Sequence, residues 1–231
     1  MPRVGRVNIG GVAYHVLNRA NARLPLFECR SDYAAFAAVV AEAHERVAMR
    51  TIGYCIMPNH WHMVLWPRED GELTAFVRWL THTHTMRWHT HYGSAGTGHL
   101  YQGRFKSFPM QNDEHFLTVC RYVERNALRA NLVERAENWP WSSLWRRHCG
   151  APEAREILTD WPGGIPSNWL QTVNRPQSEA EVEAIRLAVR RGRPYGLPAW
   201  TARTADRLGL ETTLRPRGRS ALRTGYSPAP R

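Results

Sequence analysis

The stretch TIGYCIMPNHWHMVLWP (51–67) sets two apolar runs on either side of Pro58-Asn59. Proline fixes φ and asparagine tolerates turn conformations, so the pair reads as a turn. Thr51 to Met57 and His60 to Trp66 are therefore predicted as two strands of an antiparallel hairpin. Working back from it, Val12 to Asn18 alternates between flanking glycines and reads as an earlier strand. Between the two, Ser31 is a fitting N-cap for a helix. After it Tyr33, Phe36, Val39, Val40, Ala43 and Val47 recur at helical spacing. Working forward, Leu73, Phe76, Val77 and Leu80 mark a second helix running towards Tyr92. A glycine-rich loop (93–98), a short strand from Arg104 to Met110 and a third helix capped by Asp113 and reaching about Ala130 follow. The order β-α-β-β-α-β predicts an α+β fold, the ferredoxin-like split β-α-β: an antiparallel sheet with helices on one side. The third helix is an addition after the last strand.

The chain has 231 residues, enough for one domain and an appendage, and 43% hydrophobic content supports a core. Lysine and arginine number 31 against 20 acids, for a net charge of +11. Lys106 is the only lysine, so compositional drift towards arginine is the bland reading of that imbalance; a polyanionic partner, nucleic acid first, is the functional one. Cys29, Cys55, Cys120 and Cys149 form no CxxC pair, which suits buried thiols in a reducing compartment. With no apolar leader or membrane-length run, a cytoplasmic protein without a membrane partner is expected. Three regions are expected: a domain over 1–148, an irregular connecting segment over 149–185 and an arginine-rich extension over 186–231. From Arg186 onward there are 11 arginines against Asp206 and Glu211. RGRPYG (191–196) reads as part of a flexible basic tail.

His60 and His62 flank Trp61 on a predicted strand. Side chains at i and i+2 share a face, so both imidazoles can meet one metal ion. His82/His84 and His89/His91 repeat the spacing within a predicted helix, where residues two apart diverge. Only the strand pair has ligand geometry, though spacing alone also fits two structural histidines. In the third helix Phe116, Val119, Cys120, Val123 and Ala127 form the apolar stripe. Tyr122 is predicted off that stripe, beside Thr118, Arg125, Asn126 and Arg129. Asn126 lies one turn beyond Tyr122, so hydroxyl and amide project together; spacing alone equally fits a half-buried tyrosine near an exposed asparagine. His15 reads as a hydrogen-bonded sheet histidine.

Taken jointly, the segments AYHVLNRAN (13–21), MPNHWHMVLWP (57–67), GHLYQGRFKSF (98–108), YVERNALRANLV (122–133) and WPWSS (139–143) resemble the REP-associated tyrosine transposases, within the HUH single-tyrosine transposases. They stand in the family's order and cover most of residues 10–148. Many relatives have NNP in the tyrosine helix; here it is Arg125-Asn126-Ala127. The resemblance implies His60 and His62 as metal ligands, Asn126 as third ligand, Tyr122 as nucleophile, and magnesium or manganese as the ion. It implies a bacterial enzyme, a monomer, that cuts and joins single-stranded DNA carrying palindromic hairpins through a 5′-phosphotyrosine. Arg104, Lys106, Arg125 and Arg129 are the candidate DNA contacts. A noncatalytic nucleic-acid-binding protein of the same fold, or a nuclease using activated water, stays open at this level.

Overall fold

A computed structural model describes residues 8–150 and 157–215. Four strands, β1 (Ala13–Arg19), β2 (Arg50–Met57), β3 (His60–Trp66) and β4 (Lys106–Met110), form one antiparallel sheet in the order β2-β3-β1-β4. That is the expected ferredoxin-like α+β arrangement. Helices α1 (Arg30–Arg46) and α2 (Glu72–His91) are the two crossovers. The hairpin closes with Met57 opposite His60, so Pro58-Asn59 is a two-residue turn. The sheet ends earlier on β4 than expected: Arg104 lies before the strand, because Gly103 at φ 156° bends the chain there. Helix α1 starts at Arg30 rather than after Ser31, because the Asp32 carboxylate accepts from the backbone N–H groups of Glu28 and Cys29 at 2.7 and 3.1 Å and fixes the N-cap at Cys29, two residues earlier.

Helices cover both faces of the sheet, not one. Tyr14, Val16, Tyr54, Ile56, Trp61, Met63 and Leu65 point to α1 and α2 and build one core. The alternate residues Ala13, Ile52, Cys55, Met57, Val64, Phe108 and Met110 point the other way, onto helix α3 (Glu114–Glu124) and the C-terminal segments. Period-two alternation with apolar residues on both faces is what a sheet in the middle of three layers requires.

The third helix is shorter than expected. Arg125, at ψ −3°, separates α3 from the single turn α4 (Asn126–Arg129). The connecting segment expected to be irregular (149–185) follows α5 (Ser143–His148) and contains α6 (Trp169–Asn174), which packs on α3. Its anchor is Glu124, fully buried and held by Arg147 at 2.9 Å, Ser143 at 2.5 Å and the Trp169 indole N–H at 2.7 Å. Helix α7 (Glu179–Arg191) runs across the expected 185/186 boundary, so the extension is continuous with what precedes it. The RGRPYG run is not a free tail. Tyr195 donates its N–H to the Pro109 carbonyl and accepts from Gln111 N–H, both at 2.9 Å, which docks it beside β4 ahead of α8 (Pro198–Arg207). The second basic run, RPRGR (215–219), lies outside the described residues beyond Arg215.

All four cysteines are free; Cys55 and Cys120 are buried as expected, while Cys29 and Cys149 are exposed. Among the described residues no helix is long and apolar enough to cross a membrane.

Candidate active site

Strand β3 presents His60, His62 and Val64 to the α3 side and Trp61 to the opposite core, where its indole N–H donates to the Tyr101 hydroxyl at 3.1 Å. A bulky apolar residue between the two histidines therefore locks the strand's facing. A one-residue slip would put both imidazoles into the α1/α2 core. The His60 and His62 rings lie 5.0 Å apart, nearly perpendicular. His60 and His62 line a cavity of about 550 Å³ together with Tyr122, Asn126 and Arg129.

Each imidazole is tied down on its far side. His60 Nδ1 meets the Asn59 side-chain oxygen at 2.6 Å, so it carries the proton and leaves the Nε2 lone pair unused. His62 Nδ1 meets His15 Nε2 at 2.9 Å. The register Leu17↔His62 and His15↔Val64 makes these two histidines diagonal neighbours on one face. When His62 donates in that bond its Nε2 is free to bind a cation, and His15 is the group that selects the tautomer. His15 is thus more than the satisfied sheet histidine expected: it is fully buried, bonds only to His62, and leaves its own Nδ1 without a partner among the described residues. Burial, with Arg129 assisting, pushes its pKa down to about 3. Burial first, then Arg19 and Arg129, holds His60 near 4, and burial with the neighbouring histidines and arginines holds His62 well below the ordinary range. All three are neutral imidazoles at physiological pH, the form that binds metal.

Tyr122 is not off the buried stripe. Only 7% exposed, it stands edge-on to His62 at 5.9 Å and to His15 at 6.1 Å between ring centroids. The stripe is wider than the spacing suggested because α3 is enclosed by the sheet on one side and by α6 and α7 on another. Asn126, 6% exposed, lines the same cavity one turn on, as the i, i+4 spacing predicts. Arg129 closes the group. Its guanidinium lies over the Tyr122 ring at 4.0 Å, and Nη2 donates to Asn126 Oδ1 at 2.7 Å.

The donor set fits a divalent ion: two neutral imidazoles with unused Nε2 atoms and an amide on the same wall. No trio of His, Cys, Asp or Glu able to hold a metal occurs among the described residues, and the Asn126 amide stands in the same cavity as the two imidazoles. Of the cations expected to meet DNA, Arg104 and Lys106 are exposed on the cavity rim, and neither side chain has a hydrogen bond or ion pair among the described residues. Arg125 is a correction. Its guanidinium donates to the carbonyls of Val173 and Asn174 at 2.9 and 2.6 Å, tying α6 to α3 instead of facing the cavity. Two cations that the sequence reading left out, Arg186 and Arg190 of α7, form the far wall. Gln102, without a role from the sequence, also lines the cavity, whereas His99 lies in an adjoining cleft. The His82/His84 pair diverges as helical spacing demands, His82 to solvent and His84 into the core.

Comparison with known proteins agrees with this architecture. The family described as IS200-like transposase matches residues 8–126, just over half of the chain. No curated protein matches the chain. A solved REP-associated tyrosine transposase bound to a REP hairpin superimposes with a TM-score of 0.52 at 19% identity, covering 72% of this chain and 98% of that one. A candidate transposase from Deinococcus radiodurans aligns at 14% identity and a TM-score of 0.39, over 57% of this chain and 95% of its own. At these identities the structural likeness speaks for the fold; the family rests on the sequence match, and by it the chain belongs to the IS200-like transposases, a family of DNA-cleaving enzymes.

Proposed function

We propose that the chain is a divalent-metal-dependent single-stranded DNA nickase and strand transferase that attacks with the Tyr122 hydroxyl and acts on REP-type hairpins. One observation carries the reading: Tyr122, His60, His62 and Asn126 line a single cavity, with the tyrosine ring 5.9 Å from that of His62. His60, His62 and Asn126 would hold magnesium or manganese. Bound there, the ion supplies Lewis-acid stabilisation of the scissile phosphate, and because its ligands are neutral it keeps its full charge for that task.

The chain's own residues do the rest. Tyr122 presents its oxygen to phosphorus; a bond from that oxygen forms as the bond to the 3′ oxygen breaks. The phenolic proton passes to solvent, and the leaving 3′ oxygen takes one up to become a hydroxyl. The DNA is left joined to Tyr122 through a 5′-phosphotyrosine, which a second 3′-hydroxyl can attack to join strands with no nucleotide cofactor. Packing of the Tyr122 ring against His15, His62 and Arg129 limits its rotation, so part of the orientational cost of attack is met by the fold. Arg104, Lys106, Arg186 and Arg190 line the path by which a phosphate backbone would enter. The hairpin substrate is supported by the matching family and by the REP hairpin held in the superimposed transposase.

The test is a labelled repeat-derived hairpin oligonucleotide incubated with Mn²⁺ and resolved on a denaturing gel. A covalent protein–DNA band is expected, absent in Tyr122→Phe. Cleavage that survives this substitution would instead indicate an activated water as nucleophile, and binding with no cleavage a noncatalytic protein.

A further inference from the structure

Arg129 carries a charge that nothing around it neutralises. Its guanidinium lies among Tyr122, Asn126 and the histidine wall, and no carboxylate comes within ion-pair distance of it among the described residues. Three contacts hold it: the Tyr122 ring face at 4.0 Å, the Tyr122 carbonyl at 3.4 Å and Asn126 Oδ1 at 2.7 Å. A half-buried cation without an anion is an unfavourable arrangement. Asn126 is left equally incomplete, since its buried Nδ2 has no partner among the described residues. Asn126 Oδ1, the oxygen read above as completing a ligand set with His60 and His62, is the oxygen that Arg129 occupies.

We propose that Arg129 is a placeholder cation: it competes with the divalent ion for the Asn126 carbonyl, and metal loading releases its guanidinium to grip the scissile phosphate. The inference rests on the metal-site reading above and deepens it. An amide oxygen has two lone pairs, so geometry alone would let both cations share it. Charge argues against sharing, because a guanidinium and a dication on one atom repel each other. An incoming phosphate resolves the conflict by offering the displaced guanidinium a bidentate anion, the partner to which its planar fork is suited. Metal binding and Arg129 release are then one event, and substrate favours both. While it stays over Tyr122, Arg129 also holds the nucleophile's ring in place before the ion arrives.

The alternative is that Arg129 merely orients Asn126 as a ligand, and the two readings predict opposite signs. Mn²⁺ is titrated into the full chain without DNA and free ion is followed by electron paramagnetic resonance. Arg129→Gln keeps an N–H for Asn126 and removes the charge; it is expected to bind Mn²⁺ about tenfold more tightly, a usual size for coupling between two binding events. Arg129→Lys keeps the charge and is expected to stay near wild type. At saturating Mn²⁺, Arg129→Gln is nevertheless expected to form the DNA adduct more slowly, with its KM for the hairpin raised. Unchanged or weaker Mn²⁺ binding in Arg129→Gln, with a wild-type thermal melt, overturns the proposal, as does equal tightening in Arg129→Lys. His60→Ala separates the two levels. If it leaves Mn²⁺ binding intact the metal-site reading itself fails, whereas loss of binding there with no gain in Arg129→Gln sinks the placeholder alone.

Discussion

Both faces of the sheet bury histidines, and the two faces use them differently. On the α1/α2 face His84 Nδ1 is 2.7 Å from the Tyr101 hydroxyl, which also accepts from the Trp61 indole. The ring packs against Phe27 and Phe36. On the α3 face His60 and His62 each spend one nitrogen on a neighbour and turn towards a cavity with no partner for the other among the described residues. Burial depresses the pKa on both faces, so a shifted histidine alone does not mark a site. What differs is the second nitrogen and the space it faces.

Several experiments break or sharpen that contrast. The largest effect is expected from His62→Ala, which should abolish adduct formation on the denaturing gel while filter binding of the hairpin persists, because arginines supply most of the affinity. His84→Ala should leave cleavage per folded molecule intact; a cleavage defect as deep as that of His62→Ala would erase the distinction between the faces. Glu124→Ala is next. It strands Arg147 and unpins Trp169, so about 3–5 kcal/mol of stability is expected to be lost in urea denaturation. A loss below 1 kcal/mol would mean that the C-terminal segments are not held by this carboxylate.

His15→Phe keeps the buried ring and removes the partner of His62. Mn²⁺ affinity is expected to fall about 10- to 100-fold, with little change in thermal stability. An unaltered affinity would make His15 a packing residue only. The pH dependence is smaller. Burial holds His84 near pKa 4, below the ordinary 6.5 of an imidazole. Between those values the unfolded chain takes up a proton that the folded chain refuses. The contribution of His84 is therefore complete above pH 6.5 and declines as pH falls towards 4, by at most about 1.4 kcal/mol per pH unit. Comparing wild type with His84→Gln across pH 7 to 4 should show the flatter curve in the variant. The least effect is expected on the rim: Arg104→Ala and Lys106→Ala should each reduce the slope of log affinity against log salt by about one.

Much of this arrangement is legible in local pattern. Pro58-Asn59 and two alternating runs specify the hairpin, and the HWH spacing specifies which face the imidazoles share, because both depend on near neighbours. Opposite-face coverage of the sheet is also written in the strands, both of whose sides carry buried apolar residues. His15 could have been found by the same parity argument that paired His60 with His62, once β1 is set antiparallel to β3. The burial of Tyr122 could not. It depends on α6 and α7 arriving from about 50 residues and more down the chain, through contacts such as Arg125 with Val173, which leave no periodic trace. Arg125 and Arg129 look alike by sequence on one helix face, yet the break at Arg125 turns one towards backbone carbonyls and the other over the tyrosine.

The cavity wall contributed by Arg186 and Arg190 has a consequence for synthesis. A ribosome delivers the histidine hairpin and the tyrosine helix long before α7, and N-terminal parts fold first. Until α7 has emerged, the pocket stands open on one flank and lacks two of its positive charges. On the proposed reading, competence to grip a DNA backbone is thus acquired only once α7 has been made.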